Sequence, residues 1–169
     1  METLAAGKEA YRGQSYGVDF VAVSRLGLRT RSPYLLQPAP RPARAYRIFG
    51  AEVISPCNGE VMVARDGMVD QPAGEANFSL MAGNHVVVRC DGHDVLLAHL
   101  RQGSVAVSAG QRIETGVRLG EVGNTGASDE PHLHVSVQRA VDAQPDFSGE
   151  PVHVMFNRRF LARGACLPH

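Results

Sequence analysis

The sequence predicts an all-β fold. It is read as a single compact domain, residues 1–169, whose mainly antiparallel sheet folds into a sandwich- or barrel-like groove. Three observations predict this. The apolar runs are short, rich in valine and bounded by turn residues, which is the pattern of strands. No long amphipathic helix is present. The 18 glycines and 10 prolines are spread along the chain, as tight turns between short strands require. A chain of 169 residues is long enough to bury one sizeable core.

Strands are expected near 15–24, 51–55, 59–65, 84–90, 93–100, 103–107, 118–123, 132–138 and 151–156. Asp91-Gly92 separates Val86-Val87-Val88-Arg89-Cys90 from His93-Asp94-Val95-Leu96-Leu97. It is a strong hairpin signal, because both central residues of a type I′ turn need positive φ. Asn58-Gly59 and Asp66-Gly67 punctuate the preceding meander in the same way. Residues 25–50 differ and form a Pro/Arg-rich insertion loop. Repeated prolines and arginines favour an extended surface segment over a helix, with Arg29, Arg31, Arg41, Arg44 and Arg47 solvated. A second loop runs from Asp70 to Asn77. Either loop is a candidate wall for a cleft. From Val107 to Gly120, glycine recurs at Gly110, Gly116 and Gly120 between apolar residues, which suits a tightly folded barrel or sandwich.

Seventeen basic side chains balance seventeen acidic ones, giving a formal net charge of zero. No basic field argues for nucleic acid, and no polybasic run argues for anionic lipid. The longest apolar runs are strand-sized and too short to span a bilayer. The first residues, Met1-Glu2-Thr3-Leu4-Ala5-Ala6-Gly7-Lys8-Glu9, have no apolar core and do not read as a signal peptide. Cys57, Cys90 and Cys166 form no CxxC pair. They are expected to be isolated, half-buried residues, neither a zinc knuckle nor a disulfide framework.

The chemistry-bearing residues lie at both ends. In Pro131-His132-Leu133-His134 two histidines one residue apart on a strand face the same way, roughly 6–7 Å apart. That spacing suits one imidazole on a metal and the other beside it. His99 lies in the apolar run Val95-Leu96-Leu97-Ala98-His99-Leu100, and Asp19 in Tyr16-Gly17-Val18-Asp19-Phe20. Taken singly, each has a structural alternative: a core histidine, an exposed strand pair, a strand aspartate on the polar side. Taken together, one acid and three imidazoles make a hydrolytic zinc site with one ligand missing.

In their order over roughly residues 15–138, these segments resemble the lysostaphin/LytM-type zinc endopeptidases, which cut peptide cross-links in bacterial cell walls. Gly17-Val18-Asp19-Phe20 is similar to that family's first metal motif, and Ala51 through Val61 to its first core hairpin. Gly83-Asn84-His85-Val86-Val87-Val88 and Leu97-Ala98-His99-Leu100 resemble its paired central strands. Gly116 through Gly126 resembles the approach to its last motif, Pro131-His132-Leu133-His134.

The resemblance implies a duplicated-hybrid-motif fold, with Asp19 and His134 as zinc ligands. It implies His99 and His132 as the pair that moves protons and stabilises the developing oxyanion. Zinc would make hydroxide available near neutral pH and polarise the scissile carbonyl. Where the family's usual motif carries a third ligand, a histidine four residues before the aspartate, this chain has Ser15.

Three outcomes follow. The third ligand comes from elsewhere, His85 being nearest by position and His93 and His153 behind it. Or the site binds zinc weakly or takes another metal. Or it is vacant, in a catalytically degenerate wall-binding or regulatory module. The expected function is a zinc-dependent metalloendopeptidase acting on peptide or peptidoglycan, with no nucleic-acid or membrane partner; the family usually works in the periplasm or outside the cell. A fainter likeness to the IIA domains of the sugar phosphotransferase system would cast His99 and His134 as phosphoryl carriers. Pro131-His132-Leu133-His134 and Asp19 argue against it.

Overall fold

The computed structural model describes residues 16–141, 149–156, 158, 160, 161 and 165. Among the described residues eight strands form: β1 Val18–Phe20, β2 Glu52–Ile54, β3 Gly59–Arg65, β4 Asn84–Cys90, β5 His93–Leu100, β6 Arg112–Ile113, β7 Arg118–Glu121 and β8 Leu133–Arg139. Six pair antiparallel in the order β1-β8-β5-β4-β3-β6, and β2 pairs with β7 in a second, two-stranded sheet. The expected all-β class and antiparallel pairing are borne out. Asp91 and Gly92, at φ 44 and 73, make the turn between β4 and β5, as a type I′ hairpin requires.

Period-two alternation sorts the central strands into two faces. Val86 and Val88 of β4, Val95 and Leu97 of β5, and Val135 and Val137 of β8 face the main core. There they meet Val53 of β2 and Leu119 of β7 from the small sheet. Val87, Leu96 and Ala98 face the other way and form a separate buried cluster. His134, paired across the ladder with Ala98, belongs to this second face, which carries the candidate site.

Several expectations change. The strand near 15–24 is only Val18–Phe20 among the described residues. Residues 103–107 form no strand: the carboxylate of Asp66 accepts from the backbone N–H groups of Gly103 and Val105 at 2.8 and 3.0 Å. These bonds replace ladder pairing. Of 151–156, the segment beside β8 reaches it only through the isolated bridge between Gln138 and Pro151. The two-residue β6 is too short to leave a periodic signal.

The cysteine expectation is corrected for two of the three residues. Cys57 and Cys90 form a disulfide across 33 residues, with Cα atoms 6.1 Å apart. The physical reason is register. Glu60 of β3 pairs with Arg89 of β4, so the turn before β3 lies beside the end of β4. Sequence spacing carries no trace of that pairing. Cys166 lies outside the described residues.

Residues 25–50 contain two single 3-10 turns, Tyr34–Leu36 and Ala43–Ala45. Ala45 and Tyr46 are buried against Ala73 in a third cluster. Its arginines do more than meet solvent. The Arg31 guanidinium donates to Arg47 O at 2.9 Å, Arg47 donates to Leu28 O at 3.2 Å, and Arg41 donates to Gln37 O at 2.6 Å.

Candidate metal centre

The site is assembled around His134 on β8. Asp19 of β1 pairs with His134 in register from one side, and Ala98 of β5 from the other. His132 lies two residues before His134 and shares its face. Asp19 and the two histidines of the HxH motif therefore converge by simple strand geometry.

His99 does not follow from alternation. Its place in β5 would turn it into the main core with Val95 and Leu97. The ladder between β4 and β5 slips between Asn84 and Val86, and His99 has φ 61. A bulge re-aims a side chain in this way, and left-handed backbone in a residue other than glycine costs about 1–2 kcal/mol. The distortion is held by flanking bonds: His99 N–H donates to Ala82 O at 3.0 Å and Gly123 N–H donates to His99 O at 2.9 Å. The result is a His99 ring centroid 4.6 Å from that of His132 and 6.0 Å from that of His134.

Each ring is oriented by a partner on its Nδ1. His99 Nδ1 lies 2.8 Å from Thr125 O, and His132 Nδ1 lies 2.8 Å from Glu130 O. A carbonyl can only accept, so Nδ1 carries the proton in both rings and Nε2 keeps its lone pair. His134 Nδ1 lies 2.7 Å from Asp19 Oδ1, and the same oxygen is 3.5 Å from His132 Nε2. The His132 and His134 side chains are only 13% and 12% exposed, against 60% for Asp19. The pocket is thus a buried imidazole group with a carboxylate at its mouth.

Burial sets the charge states. Desolvation, aided by the neighbouring His132, pushes His99 down to about 3. Desolvation also lowers His132, opposed by Asp19. The hydrogen bond from His134 holds Asp19 below its ordinary value, against the cost of its own burial. At neutral pH the site therefore offers unprotonated nitrogen at His99 and His132 beside an ionised carboxylate. A divalent cation needs ligands in those states.

The donors fit a metal. One ring nitrogen from each of His99, His132 and His134 lies within 4.8 Å of the others. His134 Nε2 is buried without a hydrogen-bond partner among the described residues, and such an orphaned atom is characteristic of a functional site. Imidazole with carboxylate is a zinc-type donor set. The expected ligands Asp19 and His134 are in contact, and the expected catalytic pair His99 and His132 are beside them. Ser15 lies outside the described residues. His85, the nearest alternative by sequence, is not in the cluster; its Nδ1 is bonded to Gly83 O at 2.7 Å. His93 bonds the Asp91 carbonyl, and His153 stacks on Tyr16 with centroids 3.6 Å apart.

The profile of Peptidase family M23 matches residues 47–152, more than half of the chain. The chain belongs to peptidase family M23. Among curated proteins, the chain is similar to the peptidoglycan DD-endopeptidases ShyC and ShyA of Vibrio cholerae. Identity to ShyC is 27% over 103 residues, 61% of this chain and 22% of that protein. Identity to ShyA is 32% over 85 residues, 50% of this chain and 19% of that protein. The chain spans about a fifth of the length of these two relatives. Among solved structures, it resembles a zinc-containing peptidase from Vibrio cholerae at 28% identity and TM-score 0.45, over 64% of this chain and 26% of that one. It also resembles the catalytic domain of lysostaphin from Staphylococcus simulans at 18% identity and TM-score 0.43, over 68% and 80%.

In this M23 chain the cluster is also held by residues that the sequence did not single out. Thr125 and Glu130 act through backbone carbonyls, which leave no side-chain signature. Ser128 Oγ sits 3.2 Å from His132 Nδ1 and 2.8 Å from Asn124 Oδ1. The only sequence signal was the glycine-rich run ending at Gly126. Gly126 has φ +77, and a Cβ there would come within 2.4 Å of Gly83 N.

Proposed function

We infer that this chain is a zinc-dependent endopeptidase domain that hydrolyses peptide bonds in peptidoglycan cross-links. The observation that carries this reading is the convergence of Asp19, His99, His132 and His134 on one sheet face in an M23 chain. The peptidoglycan DD-endopeptidases among its relatives support the substrate class. Asp19 and His134 are the residues that would hold the ion. When bound, zinc supplies Lewis acidity and makes hydroxide available near neutral pH.

The protein's own contribution is orientation and proton handling. The Thr125 carbonyl fixes His99 with its Nε2 lone pair free to accept a proton. The Glu130 carbonyl does the same for His132. Both rings are neutral at neutral pH because burial disfavours their charged forms, as a general base requires. Asp19, as an ionised carboxylate, holds the His134 ring in place. Peptidoglycan lies outside the cytoplasm, so this reading places the chain in the cell envelope. The Cys57–Cys90 disulfide suits an oxidising compartment.

The test is metal analysis of the purified chain with digestion of isolated sacculi. The expected result is about one zinc per chain and release of cross-link fragments, abolished by a chelator and restored by zinc. A metal-free chain that releases nothing with zinc added would overturn the reading. Ser15 at the usual third-ligand position favours one alternative, a degenerate module that binds wall fragments without cutting them. That alternative expects sacculus binding that a chelator does not change.

A further inference from the structure

We propose that Asn124 is a positioning residue that fixes the tautomer of His132, by holding the hydroxyl hydrogen of Ser128 away from the ring. The chemical use of that tautomer rests on the zinc endopeptidase reading above; the tautomer itself does not.

The argument starts from burial. Asn124 and Ser128 are both 0% exposed, so their polar groups need partners inside the protein. The Asn124 carboxamide can lie only one way round. Its Nδ2 is 2.8 Å from Gln71 O, and a carbonyl only accepts, so Oδ1 is the atom turned to Ser128. Ser128 Oγ is 2.8 Å from Asn124 Oδ1, 2.9 Å from Glu130 O and 3.2 Å from His132 Nδ1.

A hydroxyl has one hydrogen to give. Given to Asn124 Oδ1, it leaves only lone pairs on Ser128 facing His132. The ring then keeps its own proton on Nδ1, where Glu130 O accepts it at 2.8 Å. Given instead to His132 Nδ1, it would force the ring proton onto Nε2. The nitrogen that accepts a proton in hydrolysis would then have no lone pair to offer. With Asn124 in place, each donor has its own acceptor: His132 gives to Glu130 O, Ser128 to Asn124, and Asn124 to Gln71 O. Without it, the hydroxyl is left with two choices, to compete with the ring for Glu130 O or to donate to the ring itself.

The acceptor is held in place from a separate loop. Asp70 Oδ1 accepts from Asn124 N–H at 2.7 Å, and Gln71 N–H donates to Asn124 O at 3.0 Å. With the bond from Nδ2 to Gln71 O, three of the four polar groups of Asn124 are gripped by Asp70 and Gln71, and the fourth is turned to Ser128. The loop from Asp70 to Asn77 thus reaches His132 through one side chain.

The test is nitrogen-15 labelling of histidine in the whole metal-free chain. Long-range proton–nitrogen spectra in mildly alkaline buffer distinguish Nδ1–H from Nε2–H, and His132 is assigned by its loss in His132→Gln. The parent chain is expected to hold His132 as Nδ1–H. Asn124→Ala is expected to add a clear share of Nε2–H. Removing the hydroxyl as well, in Asn124→Ala with Ser128→Ala, is expected to restore Nδ1–H, because Glu130 O then accepts from the ring alone. A residue that only filled space would do the opposite, since a second deletion would disturb the ring further. Asp66→Asn is the comparator. Its carboxylate accepts from Gly67, Gly103 and Val105 N–H, so its loss should lower the melting temperature and leave the His132 tautomer unchanged. On a cross-linked muropeptide, kcat of Asn124→Ala is expected to fall about 10-fold with KM within about twofold, the scale of a lost outer partner.

A parent His132 held as Nε2–H overturns this proposal, and that reading needs no variant to fold. So does an unchanged tautomer in Asn124→Ala, or a double variant no closer to the parent than the single one. So does an equal tautomer change in Asp66→Asn. If the alanine variant does not fold, Asn124→Asp decides: it keeps an oxygen for Ser128, so Nδ1–H is expected and Nε2–H overturns. The expected tautomers in a chain that cuts nothing with zinc added uphold this proposal and overturn only the endopeptidase reading.

Discussion

His99 shows what a single residue contributes and what it costs. Its side chain reaches the site only because β5 bulges and the residue takes φ 61. Its ring stays neutral because it is buried. The folded-state value of about 3 lies below the ordinary 6.5, so between those values the unfolded chain binds a proton that the folded chain refuses. Stability of the metal-free chain should therefore be unaffected by His99 above about pH 6.5. It should fall as the pH drops through that window, by at most about 1.4 kcal/mol per pH unit for this group. Urea unfolding at pH 7, 6 and 5 checks this. The slope should be shallower in His99→Gln, and an unchanged slope would mean that His99 protonates freely in the fold. At the same scale, Asp19→Asn removes the ionised acceptor from His134 Nδ1. Zinc affinity should drop ~100-fold or more, by the loss of a charged donor, as read by competition titration. The convergence of Asp19, His132 and His134 on one face was legible because strand alternation puts them there. The arrival of His99 at the site was legible only through resemblance, since alternation alone sends it into the core.

Among the elements, the turn before β4 and the loop before β8 approach each other closely beside the site. Gly83 and Gly126 stack backbone on backbone: a Cβ on Gly126 would lie 2.4 Å from Gly83 N, and one on Gly83 would lie 2.4 Å from Thr125 O. Thr125 also bonds Asn84 N–H and Leu100 O through its hydroxyl at 2.9 Å each. This crossing sets the carbonyl that orients His99. Gly126→Ala combines a forbidden contact with left-handed φ, and should cost ~2 kcal/mol or more, with a fall in zinc affinity. Thermal melting and metal titration of the same preparation test it; an unshifted melt would show that the two backbones can part. At the far end of β4, the Cys57–Cys90 link closes a loop across 33 residues. Replacing both cysteines by serine should cost about 2–4 kcal/mol in denaturant without altering zinc binding, because neither residue contacts the site. Long valine-rich strands were legible in the sequence: β3, β4, β5 and β8 fall at or within one residue of their expected bounds. What escaped was set by tertiary pairing. β6 is two residues long, and the disulfide depends on the β3–β4 register rather than on any local pattern.

Over the whole molecule, three loops are layered onto the edge of the site. Arg41 and Ala73 exchange backbone bonds at 3.3 and 2.7 Å, which joins residues 25–50 to the loop from Asp70 to Asn77. That loop is bonded in turn to the approach to β8: Gln71 N–H to Asn124 O at 3.0 Å, Gly74 N–H to Asp129 O at 2.7 Å, and Asn77 N–H to Gly126 O at 3.0 Å. Arg29 completes the stack by pairing with Glu130, the residue whose carbonyl orients His132. A Pro/Arg-rich sequence reads as solvated because its composition lacks an apolar period, and the contacts that tie it to the rest of the fold, Arg41 with Ala73 and Arg29 with Glu130, are made with distant segments. The ion pair joins side chains 52% and 28% exposed, so its equilibrium worth should be small, at about 1 kcal/mol or less. Its local consequence should be larger. With Arg29→Ala, residues 25–50 keep the Ala45, Tyr46 and Ala73 cluster and the Arg41–Ala73 bonds but lose the direct ion pair to the HxH approach. Opening of that segment alone requires less free energy than global unfolding. Chymotrypsin cleavage near Tyr34 to Leu36 should therefore accelerate severalfold while the melting temperature moves by only a few degrees. Cleavage at the parent rate would show that the buried cluster holds the segment without help from the ion pair.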